Sequence, residues 1–307
     1  ALKINPDYAE AYRNMGVVLR EKGHLKGAKN SFEQALKINP KYAEAHMNVG
    51  VVLQDQGHVT AAIESFKKAI DIDPDYAGAY SNMGISLKDM GHLNAAIDCF
   101  NQALKINPDY ADAYWNQSLA FLSQGDFKNG WPQYEWRWRE TNCDIPLVQS
   151  KSSRWDCLKA GRILLWPEQG IGDVIMFSSM LNEIHQKSEQ LIVQLDERLI
   201  PLFRRSFPDD IIYYPESVKV PETAYDTHIP FGSLPSHFRP NLESFKQGSG
   251  TYLKADEDYS GALRDNLRAD SGDYIVGLTW RGGSKKNNLL TNKSVDLVEV
   301  AQVLYNK

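Results

Sequence analysis

A nearly identical segment recurs in the amino-terminal part of the chain at a constant interval of 34 residues, and no other feature limits the fold as strongly. The four copies are ALKINPDYAEAY from Ala1, ALKINPKYAEAH from Ala35, AIDIDPDYAGAY from Ala69 and ALKINPDYADAY from Ala103. A repeat of this length predicts a solenoid built from two-helix units. Because one helix pair cannot bury its apolar face by itself, the units are expected to stack on one another.

Four positions recur in the first three units, and each has a physical reason. A glycine in the first helix lets a second helix approach, and a phenylalanine in the second helix fills the seam between neighbouring units. A Gly-His pair makes the turn between the two helices, and a proline, which lacks the N–H, ends the second helix. In that order the residues are Gly16, Gly50 and Gly84; Phe32, Phe66 and Phe100; Gly23-His24, Gly57-His58 and Gly91-His92; and Pro40, Pro74 and Pro108. The histidines occur once per unit, about one repeat width apart, so we interpret them as turn residues and not as metal ligands.

With these positions, residues 1–124 closely resemble the tetratricopeptide family. The fold class that we expect for residues 1–140 is therefore an α-solenoid of tetratricopeptide repeats that ends in an aromatic capping repeat.

One more column is polar: an asparagine recurs at the same slot of each first helix, opposite Met15 and Leu19. Asparagine is unfavourable inside a helix, but its amide both donates and accepts, so a ladder of amides suits the backbone of an extended peptide. The alternative is hydrogen bonding to a neighbouring helix. The candidate peptide-binding residues are Asn14, Asn48, Asn82 and Asn116.

The repeats also resemble those of the O-linked N-acetylglucosamine transferase family, in AEAYRNMG and PDYADAYWNQ. In that family an asparagine ladder lines the superhelix and binds substrate peptide. The resemblance therefore implies a protein or peptide partner in the groove of the repeats.

The fourth unit departs from the pattern. Gly130, Tyr134 and Arg137 stand where the other units have alanine, phenylalanine and alanine. A terminal repeat needs an altered face because no further repeat covers it, and an aromatic face predicts docking onto a second domain. A ligand platform is the alternative interpretation. The tryptophans of this unit are Trp115, Trp131, Trp136 and Trp138.

Residues 141–160 are expected to form a linker, since they begin with a polar stretch. Beyond them, strand-like runs alternate with helical stretches, which predicts a parallel sheet with helical crossovers. We expect a Rossmann-like α/β domain over residues 161–270 and the start of a second such domain over residues 271–307. The predicted strands are Gly161–Trp166, Leu191–Asp196, Ile211–Pro215, Ala224–Pro230 and Tyr274–Trp280.

Two loops follow predicted strands, at the edge where sheets of this kind bind ligands. In the first loop, Gly170 and Gly172 let backbone N–H groups come close to a ligand. Asp173 follows the two glycines. It is interpreted either as a helix cap, as a catalytic base, or as an acceptor for a substrate hydroxyl. The second loop has a composition that suits phosphate, although exposed lysine pairs are common; its cations are Arg281, Lys285 and Lys286.

Four segments, GWPQYEWRW, SRWDCLKAGRILLWPEQGIGD, YDTHIPFGSLP and VGLTWRGG, occur in this order. They resemble bacterial tetratricopeptide proteins that carry a glycosyltransferase-like domain related to the heptosyltransferases, and the resemblance covers most of residues 130–307. It implies two facing Rossmann-like domains, with Asp173 as the base in the acceptor cleft and a nucleotide-sugar donor held by the second domain. The sequence stops at Lys307, about one helix into that second domain, so we expect a truncated second half and no transfer activity from this chain alone.

The composition of the chain limits the partners, the cellular location and the cofactors that we expect. The net charge of −5 is spread evenly along the chain, so no basic patch points to nucleic acid as a partner. No apolar run approaches the ~18 residues of a membrane span. The three cysteines lack C-x-x-C spacing and no signal-peptide pattern is visible, which favours a cytoplasmic location. No cofactor and no metal site are expected, since no histidine cluster has ligand spacing.

Three functional interpretations remain. The first is an interaction module, a repeat superhelix that binds a peptide and carries a partial transferase domain. The second is the amino-terminal portion of an active glycosyltransferase, in which an acceptor hydroxyl attacks the activated sugar and Asp173 takes the proton. The third is a scaffold with neither activity.

Overall fold

The computed structural model describes residues 5–267 except 140–147, 149, 159, 169 and 249. These residues form two compact units, one that ends at Lys254 and one that begins at Ala255. No helix within the described ranges is long and apolar enough to cross a lipid bilayer.

The first unit begins with helices arranged as four consecutive pairs. Each pair packs against the next, so the predicted α-solenoid is confirmed. The pairs are α1 Ala9–Glu21 with α2 Leu25–Ile38, α3 Ala43–Asp55 with α4 Val59–Ile72, α5 Ala77–Asp89 with α6 Leu93–Ile106, and α7 Ala111–Ser123 with α8 Phe127–Tyr134.

Close contact between a glycine and a phenylalanine holds each of the first three pairs together. A Cβ atom added to Gly16, Gly50 or Gly84 would lie 2.5, 2.5 or 2.7 Å from the Cε1 atom of the facing ring. The facing rings are those of Phe32, Phe66 and Phe100, all fully buried. The glycines are therefore required by the approach of the two helices, as the sequence predicts. The phenylalanines, which we expect in the seam between neighbouring units, also fill the space between the two helices of their own unit.

Two kinds of turn alternate along the array. Within each pair, a glycine with φ between 75° and 80° reverses the chain, a conformation that residues with a side chain rarely adopt. Between pairs, a side-chain oxygen closes the turn, as when Asn39 Oδ1 accepts a hydrogen bond from the backbone N–H of Lys41 at 3.1 Å. The glycines are Gly23, Gly57, Gly91 and Gly125.

The first helices of neighbouring pairs contact one another, α1 with α3, α3 with α5 and α5 with α7. They thus form one continuous surface of the array, which we call the groove surface. Curved solenoids use such a surface for binding.

The last pair ends in a different way. Helix α8 contains Pro132, and the chain continues directly into a 3-10 helix, Glu135–Arg139. We call residues 127–139 the cap segment. An eight-residue α-helix and a five-residue 3-10 helix thus replace the 14-residue second helix of the other pairs.

A parallel sheet forms the rest of the first unit. Its strand order is β1-β5-β2-β3-β4, and every neighbouring pair of strands is parallel. The predicted parallel sheet is confirmed for the described residues; the predicted strand Tyr274–Trp280 lies outside them. The strands are β1 Ser153–Arg154, β2 Arg162–Trp166, β3 Gln190–Leu195, β4 Ile212–Pro215 and β5 Thr227–Pro230.

Short helices cover one face of this sheet. Ile163, Leu165 and Val193 point to this face and pack with Phe177 and Phe203 in the largest apolar cluster. The helices are α9 Ile171–Phe177, α10 Leu181–Lys187, α11 Ile200–Ser206 and α12 Leu234–Phe238.

The opposite face is covered in part by the cap segment. Leu164, Trp166 and Ile192 form a second cluster, against which Trp138 of the cap segment packs. Parallel sheets are stable when both faces are buried. The cap segment therefore completes the core of the sheet.

Strand β1 lies within the stretch that we expect as a linker. Ser153 pairs with Thr227 of β5, and the next residue but one, Trp155, is 3% exposed in the core. Part of this stretch therefore belongs to the sheet. The described part of the second unit contains one helix, α13 Glu257–Leu267.

Candidate functional site

The groove surface carries the asparagine column at matching places. Each asparagine is the sixth residue of its helix, in α1, α3, α5 and α7. Asn14 is exposed, and the other three are half-buried: Asn48, Asn82 and Asn116.

Two of these amides are oriented by their own helix. Asn82 Nδ2 donates to the carbonyl oxygen of Gly78 at 2.8 Å, and Asn116 Nδ2 donates to that of Asp112 at 2.9 Å. Among the described residues, Asn82 Oδ1 has no donor, whereas Asn116 Oδ1 accepts from Lys88 Nζ at 3.4 Å. These bonds fix the amide planes and keep oxygen atoms available on the groove surface.

Charged side chains tie neighbouring units together beside this column. Arg13 pairs with Glu44 at 3.0 Å and donates to the hydroxyl of Tyr42 at 3.4 Å. Arg20 pairs with Asp55 of the next unit at 2.7 Å. All are at least partly exposed, so such pairs add little stability, but they fix the register of one first helix against the next.

A second candidate site lies at the carboxyl edge of the sheet. From β2 the chain runs to β3 and β4 on one side, and then returns to β5 on the other side. The point at which strand order reverses is where open parallel sheets bind ligands. Here it lies between the carboxyl ends of β2 and β5.

The loop after β2 places Gly170, Gly172 and Asp173 at this edge. Gly170 precedes α9 with extended backbone angles, and its carbonyl oxygen accepts from the N–H of Asp173 at 3.0 Å. The carboxylate of Asp173 is half-buried and has no hydrogen-bond donor among the described residues. A Cβ atom on Gly172 would meet nothing within 4 Å, so this glycine leaves open space at the loop.

A buried arginine, absent from the predicted site residues, lies at the centre of this edge. The guanidinium of Arg137, only 1% exposed, donates from Nε and Nη2 to the two carboxylate oxygens of Glu168 at 3.1 and 3.0 Å. Nη2 also donates to the hydroxyl of Ser233 at 2.9 Å. Nη1 donates to Glu135 at 2.8 Å and to the carbonyl oxygen of Tyr134 at 2.9 Å. All five N–H groups of Arg137 are therefore satisfied.

The two carboxyl groups around Arg137 have opposite pKa shifts. Burial raises the pKa of Glu168, and the charge of Arg137 offsets this only in part. Burial also acts on Glu135, but the charge and hydrogen bonds of Arg137 outweigh it, so the pKa of Glu135 lies below its ordinary value. Glu135 also accepts hydrogen bonds from Ser233 at 2.7 Å and from Trp138 at 3.2 Å, and both lower its pKa further.

A signal for Arg137 was present in the sequence. The residue stands at a slot that is alanine in the other units, and those alanines are fully buried. A charge at a buried slot requires partners. The alanines are Ala35, Ala69 and Ala103.

Three tryptophans of the cap segment have different contacts. The rings of Trp138 and Trp166 have centroids 5.6 Å apart, and Trp131 Nε1 donates to the carbonyl oxygen of Arg239 at 2.8 Å. Both contacts dock the cap segment onto the sheet part of the unit. Trp136 instead stacks on Tyr114 of the repeats, with centroids 4.1 Å apart.

The cations of the second loop, Arg281, Lys285 and Lys286, lie outside the described residues.

Comparison with known proteins identifies the repeats. A family model described as TPR repeat matches residues 16–57, 55–91 and 86–125. The repeats of this chain are therefore tetratricopeptide repeats, as predicted.

Protein FlbA of Caulobacter vibrioides is 32% identical over 153 residues, which are 48% of this chain and 24% of that protein. The chain thus spans about a quarter of the length of this curated relative.

Solved structures with similar repeats include MamA protein, at 32% identity, with 42% of this chain and 70% of that chain covered and a TM-score of 0.38. YrrB, described as a TPR protein with an unusual peptide-binding site, is 23% identical, with 44% and 70% covered and a TM-score of 0.38. A thermophilic TPR protein of Thermus thermophilus, TTC0263, is 24% identical, with 42% and 72% covered and a TM-score of 0.39.

Proposed function

We propose that the groove surface binds an extended polypeptide segment and that the asparagine ladder holds the backbone of that segment. The observation that carries this proposal is the placement of an asparagine as the sixth residue of four first helices that lie side by side. The tetratricopeptide repeats themselves favour a protein partner, since stacked repeats present a long continuous surface.

The spacing of the ladder suits an extended chain. Helices in contact lie about 8–10 Å apart, and an extended chain rises about 3.3 Å per residue. Neighbouring asparagines are therefore about three peptide residues apart. In a polyproline II segment, which is extended and has about three residues per turn, every third backbone N–H points to the same side. Each amide oxygen can then accept one of these N–H groups, which gives affinity without reading the side chains of the peptide.

Replacing two rungs of the ladder tests this proposal. In the Asn48→Ala, Asn82→Ala double variant we expect about 1–3 kcal/mol of peptide-binding free energy to be lost, since each hydrogen bond contributes ~0.5–1.5 kcal/mol. This corresponds to an affinity roughly 5- to 150-fold weaker. The ligand is the tightest peptide selected from an array with the unaltered chain, and calorimetry measures its affinity.

A matched control is available on the outer helix α2. Asn30 and Gln34 are exposed there, so replacing both with Ala removes two amides without touching the groove surface. We expect unchanged affinity in this control and unchanged helical circular dichroism in both variants. Equal affinity of the ladder variant and the control would disprove the ladder. Methylation of the peptide backbone nitrogens should weaken binding as the ladder variant does.

We also infer that the sheet is the acceptor-binding half of a sugar transferase. Its support is the strand order, which brings Gly170, Gly172 and Asp173 to the edge where such sheets bind ligands. In this proposal the unbonded carboxylate of Asp173 takes the proton of an acceptor hydroxyl while that oxygen attacks the anomeric carbon and the nucleoside phosphate leaves. Arg281, Lys285 and Lys286 would contact the phosphates of the donor.

A protein that carries both Rossmann-like domains tests this second proposal. There we expect Asp173→Asn to lower kcat by about 10²–10⁴-fold, the usual contribution of a general base, while the affinity for the nucleotide sugar changes little. Activity is measured as release of the nucleotide. Full activity of the Asp173→Asn variant would leave this residue without a catalytic role.

A further inference from the structure

The cap segment spans the crevice between the carboxyl ends of β2 and β5 at one point. Glu168 follows β2, and Ser233 follows β5. The guanidinium of Arg137 bonds to both side chains and so bridges the two strand ends. A side chain of the repeat array therefore lies where an open parallel sheet has its ligand crevice.

Two neighbours, Arg137 and Gly232, restrict the carboxylate of Glu168. Its carboxylate is held at both oxygens by Arg137. Beside Gly232 there is no spare room either, because a Cβ atom on that residue would overlap Glu168 Oε1. Two residues later the same loop reaches Gly170, whose carbonyl oxygen holds the N–H groups of Asp173 and Val174 at 3.0 and 3.2 Å.

We propose that Arg137 is a positioning residue: through Glu168 the repeat array sets the geometry of the loop that presents Asp173. The use of Asp173 rests on the proposed sugar transfer, but the control of the loop by the repeat array does not. A residue of the repeats thus determines part of the geometry of a site that the sheet forms.

A contribution to stability does not by itself explain why Arg137 and Glu168 form a buried ion pair. A buried ion pair is often no more stabilising than apolar residues of similar volume. The planar guanidinium, however, orients the carboxylate, because it binds both carboxylate oxygens at once. Apolar residues cannot fix an orientation in this way.

The test separates position from stability. In the full chain, Arg137→Leu combined with Glu168→Leu removes both buried charges together, which a fold tolerates better than the loss of one. We expect a melting temperature close to that of the unaltered chain. We also expect hydrogen exchange at the amides of Asp173 and Val174 to be about tenfold faster or more, because the loop opens locally. The amides of β3 serve as the reference and should not change.

Arg137→Lys provides a second variant that retains the charge and loses the planar fork. We expect intermediate exchange at the two amides, closer to the unaltered chain than in the double variant. If the double variant does not fold, Arg137→Lys decides alone, and unchanged exchange at both amides overturns the proposal. Unchanged exchange in a folded double variant does the same.

A matched control uses the other shielded arginine–glutamate pair of this unit. Arg239, with its side chain 6% exposed, holds both carboxylate oxygens of Glu183 at 2.8 and 2.7 Å. The Arg239→Leu, Glu183→Leu variant should leave the exchange of Asp173 and Val174 unchanged. Equal acceleration in this control would show a general loosening and would refute the positioning role. Since no readout requires sugar transfer, this proposal and the transferase proposal fail separately.

Discussion

Glycine residues inside the repeat helices have two different environments, although they look alike in the sequence. Gly50 in α3 faces the ring of Phe66 and has no room for a Cβ atom. Gly27 in α2 has ordinary space, since an added Cβ atom would lie 3.5 Å from Leu19 Cδ1. One position requires glycine, and the other only tolerates it.

Substitution by alanine should therefore have opposite effects at the two positions. We expect Gly50→Ala to lower the free energy of unfolding by about 1–3 kcal/mol, because the ring of Phe66 must shift in a packed core. Gly27→Ala should raise it by roughly 0.5–1 kcal/mol, since alanine restricts the unfolded chain and favours the helix. Denaturant titration measures both. A stabilised Gly50→Ala variant would contradict the packing argument.

The close approach of the helices at Gly50 could be predicted from the sequence, because a glycine recurs at this place in three units. The partners of Arg137 could not be predicted in this way. Glu168 is 31 residues away and Ser233 is 96 residues away, and neither recurs. The sequence indicated only that Arg137 needs a partner, because the other units have a buried alanine at the same position.

At the scale of elements, the cap segment has two faces with different roles. Trp138 packs toward the sheet, against Trp166, and its ring lies between the guanidinium groups of Arg137 and Arg154 at 4.3 and 4.8 Å. Trp136 faces the repeats and stacks on Tyr114. The sequence predicts that Trp131, Trp136 and Trp138 all dock onto the second domain. Trp131 and Trp138 do so, but the prediction is wrong for Trp136, because neighbouring residues of a 3-10 helix point in different directions.

Truncation of the two tryptophans should therefore affect different elements. We expect Trp138→Ala to lower the free energy of unfolding by about 2–4 kcal/mol, somewhat below the ~3–5 kcal/mol of a fully buried aromatic residue. It should also speed hydrogen exchange in β2. Trp136→Ala should cost only about 1–2 kcal/mol, since a stacked pair adds ~0.5–1.5 kcal/mol.

The location of the exchange changes distinguishes the two variants. For Trp136→Ala they should be confined to α7 and the cap segment. Faster exchange in β2 in the Trp136→Ala variant, with none in Trp138→Ala, would reverse the assignment of the two faces.

At the scale of the first unit, the sheet depends on the end of the repeat array and not on its beginning. Trp138 covers part of one sheet face, and Arg137 joins two strand ends. The first two pairs of helices contribute to neither feature. The sequence showed an array and a sheet, but their shared core depends on contacts that no local pattern encodes.

Two shorter proteins would test this dependence. A protein that begins at Asp75 retains the cap segment, and we expect its sheet amides to remain protected from hydrogen exchange. A protein that begins at Lys151 lacks the cap segment and leaves one sheet face exposed, so its sheet amides should exchange freely. Equal protection of the sheet in both proteins would show that the cap segment is dispensable.

The turns of the array have one further consequence. Gly23, Gly57, Gly91 and Gly125 reverse the chain with nearly the same angle, between 75° and 80°, so every joint before the cap segment is interchangeable. A gain or loss of whole 34-residue copies ahead of the cap segment would lengthen or shorten the groove surface. The remaining turns would keep their geometry. The number of repeats at the amino-terminal end of the array can therefore change without altering the sheet. The last repeat cannot be changed in this way, because its cap segment packs against the sheet.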